Sequence, residues 1–254
     1  MNDECLTYGS LFAGIGGFDL GFEKAGMKCL WQVEIDAKCR AVLTRHFPEA
    51  DRSVIDVKEA GKKNLKKVDI IIGGSPCQGF SVAGLRESML DDRSNLCLQY
   101  IRICDELEPT IIVWENVPGV LSAPDNAFGC FLGGIVESAS ALIPPNGQSW
   151  TNAGMVIGPR RGAAWRIQDS QYHGVAQRRE RVFLVASPRK ELPAKILLIE
   201  QGERRNSPPR REARQGFASA TGIGSAGGSE SGIRDTSPTI SARNKGGGGV
   251  RDGC

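Results

Sequence analysis

The stretch GGSPCQGFS, residues 73–81, sets Cys77 directly after a proline and just beyond the apolar run 68–72. Pro76 fixes its own φ and restricts Ser75 to extended conformations, so the sulfur is presented at the end of a strand. Three readings of such a thiol are open: an inert buried side chain, the commonest state of a cysteine, a metal ligand, or a nucleophile. The eight cysteines stand at 5, 29, 39, 77, 97, 104, 130 and 254 and the two histidines at 46 and 173, with no Cys-x-x-Cys pair and no nearby Cys–His grouping. Zinc-ligand spacing is therefore missing, and no metal is expected. The opening MNDECLTYGS lacks the basic stretch and apolar core of a secretory signal, so the cysteines are expected to be reduced.

Two further motifs bear on the choice. WENV (114–117) ends an apolar run with Glu115, a carboxyl whose desolvated position suits proton donation, and QRRERVF (177–183) sets Gln177, Arg179 and Arg181 at the start of another run. Arginines at i and i+2 of a strand point to the same side and can grip one oxygen-rich ligand together. A thiolate, a protonated carboxyl and paired guanidinium groups at one sheet edge would make a site for attacking an electron-poor ring.

SLFAGIGGFDLG (10–21) reads as a strand, a glycine turn and a helix. A dinucleotide fingerprint starting at Gly14 would need glycine at position 19, where Asp19 stands, and no hydride-transfer site accompanies it, so a nicotinamide enzyme is disfavoured. The turn suits a nucleoside cofactor without phosphates, such as S-adenosylmethionine, with Gly14, Gly16 and Gly17 permitting close approach and Glu34, 20 residues after Gly14, accepting from ribose hydroxyls. A glycine turn kept only for packing is the bland alternative. Asp56 can hold an adenine amino group or be an ordinary surface aspartate.

These residues need a scaffold. Runs at 6–12, 29–34, 68–74, 110–117, 163–169 and 181–187 read as strands, several apolar on both faces as in a parallel sheet, while 36–46, 94–107 and 126–143 read as helices. The alternation predicts a doubly wound α/β sheet with every motif at a strand's carboxyl end. No uncharged apolar run approaches the roughly 20 residues of a membrane span. Residues 1–157 carry 14 Lys/Arg against 20 Asp/Glu and 158–214 carry 14 against 6, so the second half is the natural side for a polyanion. A solvated basic face would carry the same charges. Residues 201–254 hold 12 glycines and only five of the set Val, Ile, Leu, Met, Phe, Trp and Tyr, too few for a core of their own.

In order, SLFAGIGGFDLGFEKAG, GGSPCQGFSVAG, DDRSNL, WENVPGVL and DSQYHGVAQRRERVFLVAS resemble the cytosine-5 DNA methyltransferase family over residues 6–190. The resemblance implies a Rossmann-like S-adenosylmethionine-dependent sheet in a catalytic domain 1–190, followed by the start of a small variable target-recognition region, 191–254. It implies that Cys77 attacks carbon 6 of cytosine, that Glu115 protonates or hydrogen-bonds ring nitrogen 3 and the exocyclic amine, and that Arg181 grips the carbonyl oxygen. Arg179 and Gln177 would support the loop and backbone phosphates, and Asn116 would join Glu115 at the substrate. Phe12 and Ile35 would cover the adenine, residues 14–17 would flank the methionine part, Glu34 would bind the ribose and Asp56 the adenine amine, with Pro76 and Leu96 adding backbone contacts. Gln78 and Ser81 belong with 79–93, which resembles the family's catalytic loop with hinges at Gly79 and Gly84.

The partner implied is double-stranded DNA, bound by a monomer in a bacterial or phage-infected cytoplasm, without metal or membrane. The family's closing Gly-Asn motif is missing, so a complementing C-terminal polypeptide is expected for full activity. A non-catalytic DNA-binding fragment and a tRNA cytosine methyltransferase are the alternatives; the latter is disfavoured by Ser81, where such relatives carry threonine.

Overall fold

The computed structural model describes residues 5–76, 95–145, 147 and 149–198; Cys77, Gln78, Ser81 and the glycine-rich tail lie outside the described residues. The elements in chain order are β1 (Thr7–Leu11), α1 (Gly17–Lys24), β2 (Lys28–Val33), α2 (Ala37–His46), β3 (Ile70–Gly73), α3 (Leu96–Leu107), β4 (Ile111–Asn116), α4 (Ala127–Val136), β5 (Ala153–Ile157), β6 (Gly162–Asp169), β7 (Glu180–Ser187) and α5 (Leu192–Leu197), with 3-10 turns at Pro118–Ser122 and Ser170–His173. The described strands form one sheet in the order β2-β1-β3-β4-β7-β6-β5.

β1 to β4 are parallel, as their helical crossovers require. All four residues of β3 are buried because both faces are covered. Ile70 and Ile72 pack with Tyr8, Leu43 and Phe47 beneath α1 and α2, whereas Ile71 joins Ile112, Trp114 and the buried residues of α3 and α4 on the other face. Side-chain caps start two of these helices: Asp36 accepts from the Cys39 amide at 2.8 Å, and Asn95 from the Cys97 and Leu98 amides at 3.1 and 3.4 Å. A register shift between Tyr8 and Gly9 sets Trp31 opposite Gly9, where an added methyl would meet the indole at 2.1 Å. Only glycine lets that ring cross β1.

The sequence reading needs correction in three places. The sheet is mixed, because β7 runs antiparallel to both β4 and β6, and β5 antiparallel to β6. The Gln177–Arg181 motif therefore sits at the start of its strand, and the reversal of β7 is what delivers it to the carboxyl edge of β4. Strand β5 was not anticipated: it is an edge strand with Met155 and Ile157 exposed, so no two-sided apolar run announces it. The helix expected over 126–143 stops at Val136, where Glu137 turns left-handed (φ 58°) and the Glu137 and Ser138 amides close on the Gly134 and Gly133 carbonyls. After β7, α5 packs back on β6 and β7.

Candidate active site

Three strand ends meet around Glu115. Its carboxylate pairs with the Arg181 guanidinium, Oε1 to Nε 2.9 Å, with the two side chains 26% and 22% exposed. The register places Glu115 opposite Phe183, so Arg181 lies two residues along on the same face, the diagonal from which a long side chain reaches its partner. From the third side comes the chain leaving β3. Gly74 approaches so closely that a methyl there would stand 3.0 Å from Glu115 Oε2 and 3.2 Å from its carbonyl oxygen.

The two residues before Cys77 are tied down. Asn116 Nδ2 donates to the Ser75 carbonyl at 3.0 Å, Trp114 Nε1 donates to Ser75 Oγ at 2.9 Å, and Ser75 Oγ lies 3.0 Å from Cys97 Sγ. Cys97 Sγ also donates to the Pro76 carbonyl at 3.4 Å. Ser75, Trp114 and Cys97 are all buried, so the two bonds to Ser75 Oγ are made away from competing water. Sequence reasoning missed this anchor, since nothing in the spacing of Ser75, Cys97 and Trp114 announces a shared contact.

Arg179 precedes β7, so strand alternation does not set its direction. Its amide donates to Asp169 Oδ1 at 3.0 Å and its carbonyl accepts from the Ser170 amide at 3.1 Å, while the Gln177 carbonyl accepts from Ser170 Oγ at 2.6 Å. The motif's backbone is thus stapled to the end of β6, leaving the Gln177 and Arg179 side chains exposed.

The glycine turn forms beside this edge. Phe12, Gly14 and Gly16 all take positive φ (54°, 55° and 86°). Glu34 Oε2 accepts from the Gly14 amide at 2.7 Å and Oε1 from the Asp36 amide at 2.9 Å, which aims the carboxylate at the turn. The glycines divide by role. A methyl on Gly16 would strike Phe47 at 2.5 Å, a packing requirement, whereas Gly14 and Gly17 face open space. Ile15 within the turn and Ile35 next to Glu34 are 67% and 68% exposed. Asp56, half-buried, opens a turn by accepting from the Lys58 amide at 2.9 Å; Pro76 is exposed and Leu96 half-buried at the start of α3. Phe18 of α1 meets Phe183 edge-on at 5.9 Å, coupling the turn to the strand that carries Arg181.

Asp19, read from sequence only as the residue that spoils a fingerprint, is fully buried. It accepts from Ser10 Oγ at 3.1 Å and from Gln32 Nε2 at 2.8 Å. Burial raises its pKa above the ordinary carboxylate range, and the hydrogen bonds from Gln32 and Ser10 oppose that shift. Burial also pushes the neighbouring Cys29 thiol up to about 12.

The model of the C-5 cytosine-specific DNA methylase family matches residues 6–138. The chain belongs to that family. The Type II methyltransferase M.AquIA of Picosynechococcus is 36% identical over 70% of this chain and 70% of its own length. The Xanthomonas oryzae Type II methyltransferase M.XorII is 34% identical over 72% of this chain and 40% of its own. A protein of Escherichia phage P1, named a DNA N-6-adenine-methyltransferase, is 40% identical over 83% of this chain, but the chain spans only 32% of it. The structure of DNMT2 from Spodoptera frugiperda superposes with TM-score 0.52 at 22% identity, covering 72% of this chain and 50% of that one, a likeness of fold.

S-adenosylmethionine is the cofactor of the C-5 methylases. The turn fits it: Gly14 leaves open the volume a side chain would fill, Glu34 sets a carboxylate beside the Gly14 amide, and Ile15 and Ile35 are exposed apolar side chains next to these residues in the chain. Among the described residues no group of three or more His, Cys, Asp or Glu could hold a metal, and no helix is long and apolar enough to cross a membrane.

Proposed function

We propose that this chain is the catalytic part of a DNA cytosine-5 methyltransferase that works through a covalent bond between Cys77 and the target base. The observation that carries the proposal is the Glu115–Arg181 pair standing against the anchored segment 74–76, one residue short of Cys77.

In this reading the Cys77 thiolate adds to carbon 6 of cytosine. The carbon 5–carbon 6 double bond opens toward carbon 5 as Glu115 delivers a proton to ring nitrogen 3. Arg181 takes the carbonyl oxygen while holding the Glu115 carboxylate in place. Phe12, Gly14, Glu34, Ile35 and Asp56 would hold S-adenosylmethionine, which would supply an electrophilic methyl group for carbon 5. Water then takes the carbon 5 proton, the carbon 5–hydrogen pair re-forms the carbon 5–carbon 6 double bond as the carbon 6–sulfur bond breaks and releases the thiolate, and the nitrogen 3 proton goes back to Glu115. Because carbon 6 is shielded in a stacked duplex, the base must be flipped out at a cost of a few kcal/mol.

The test is incubation with S-adenosylmethionine and duplex DNA in which 5-fluorocytosine replaces cytosine. Fluorine at carbon 5 cannot leave as a proton, so a denaturation-stable adduct is expected, and it should vanish in Cys77→Ser. An adduct that survives the substitution would remove Cys77 from the role. Mass spectrometry of digested product DNA should find 5-methylcytosine; N6-methyladenine in its place would favour the activity named for the phage P1 relative.

A further inference from the structure

A cleft of about 570 Å³ lies at the carboxyl end of β6, lined by Arg166, Gln168, Gln171, His173 and Arg178 among others. We propose that this cleft is a phosphodiester subsite, in which Arg166 binds a backbone phosphate of the DNA strand carrying the target cytosine. The proposal rests on the DNA methyltransferase reading above and adds a contact outside the motifs that suggested it.

Placement comes first. Arg166 stands opposite Phe183 across β6–β7, and Phe183 stands opposite Glu115 across β7–β4, so the three share one row and one face of the sheet. Two strand spacings, about 10 Å, separate the backbones of Arg166 and Glu115. Gln168, two residues on, stands opposite Arg181 on the same face. On the β5 flank the last backbone bond is from the Ile167 amide to the Asn152 carbonyl at 2.8 Å, which leaves Gln168 and Asp169 beyond the β5 ladder.

Charge comes second. Arg102, Arg160, Arg161, Arg178 and Arg181 each have a carboxylate partner. Arg166 is half-buried, and its guanidinium has neither an ion pair nor a hydrogen bond among the described residues. The cleft's two carboxylates are engaged: Asp169 accepts from the Gln171 and Arg179 amides and from Gln171 Nε2, and Glu180 accepts from Arg178 at 3.1 Å. Among the described residues the Arg166 guanidinium is therefore the cleft's cation without a carboxylate partner, since Arg178 takes both Glu180 and Asp169, and it is shaped for bidentate contact with a phosphate.

The experiment is fluorescence anisotropy of the full chain with a labelled mixed-sequence duplex over a salt series. The slope of log affinity against log salt should shrink by about 0.9 in Arg166→Gln, the loss of one phosphate contact. It should stay near the parent value in Arg166→Lys, and in Arg189→Gln at the opposite end of β7. A folded Arg166→Gln with the parent slope overturns the subsite and leaves the methyltransferase reading intact; a parent chain that binds no duplex overturns both. Independently of folding in any variant, phenylglyoxal labelling of Arg166 in the parent, read by peptide mass spectrometry, should be blocked by saturating duplex while labelling of Arg189 is not. Unprotected Arg166, or protection by an RNA stem-loop and not by the duplex, would refute the assignment.

Discussion

The Glu115–Arg181 pair can be tested without any substrate. Two opposite charges about 4 Å apart attract by ~4 kcal/mol at an effective permittivity near 20. Desolvation removes much of that, and the pair is neither fully buried nor free, with side chains 26% and 22% exposed. Exposed pairs couple by about 0.2–1 kcal/mol, and breaking a buried pair costs about 3–5 kcal/mol, so an intermediate coupling of ~1–2 kcal/mol is expected. Urea unfolding of the parent, Glu115→Gln, Arg181→Gln and the double variant gives the coupling directly. Each single variant should lose more stability than its share of the double, because each leaves its partner's charge stranded. Raising salt to 1 M, where the screening length falls to about 3 Å, should erode only part of the effect, since the pair is mostly out of water. A coupling below ~0.5 kcal/mol at low salt would mean that the two groups do not meet, and the convergence of motifs at this edge would fall with it.

Two further outcomes are expected. Burial holds the Asp19 carboxyl above its ordinary pKa, so the folded chain binds that proton more tightly than the unfolded chain and stability falls as pH rises from the ordinary carboxylate range to the raised value; Asp19→Asn should flatten this part of the Tm–pH profile, and an unaltered slope would contradict the assigned burial. Ser75→Ala strands the buried Trp114 Nε1–H, a loss of about 2 kcal/mol. At roughly 3 °C per kcal/mol that is a drop in Tm of about 6 °C, and a change under 1 °C would show that the indole finds another acceptor.

What the sequence made legible follows from periodicity and from motif chemistry. β3 and β4 carry enough apolar residues to be read directly, and the glycines, Glu115 and Arg181 stand where backbone freedom or charge has an obvious use. Strand polarity was not legible: RVFLVAS looks the same in either direction, and only the ladder with β4 shows β7 reversed. Nor were contacts between residues far apart in the chain, such as Ser75 with Cys97 or Arg160 with Glu137, because local sequence carries no record of them. Arg166 sits in AAWRIQD with no motif around it, and what sets it apart is its row in the sheet and a guanidinium without a partner among the described residues. Asp19 misled in the opposite direction, since a charged residue in the first turn of a helix is usually solvated, and here it faces the sheet.

The hairpin joining β6 to β7 has its tip, residues 170–179, at the reaction edge, while both its strands are locked into ladders behind it. Insertions at that tip would alter what the protein touches without moving Glu115, Arg181 or the sheet. Variation confined to 172–176 would change the outline of that edge while the ladders on either side keep Glu115 and Arg181 in register.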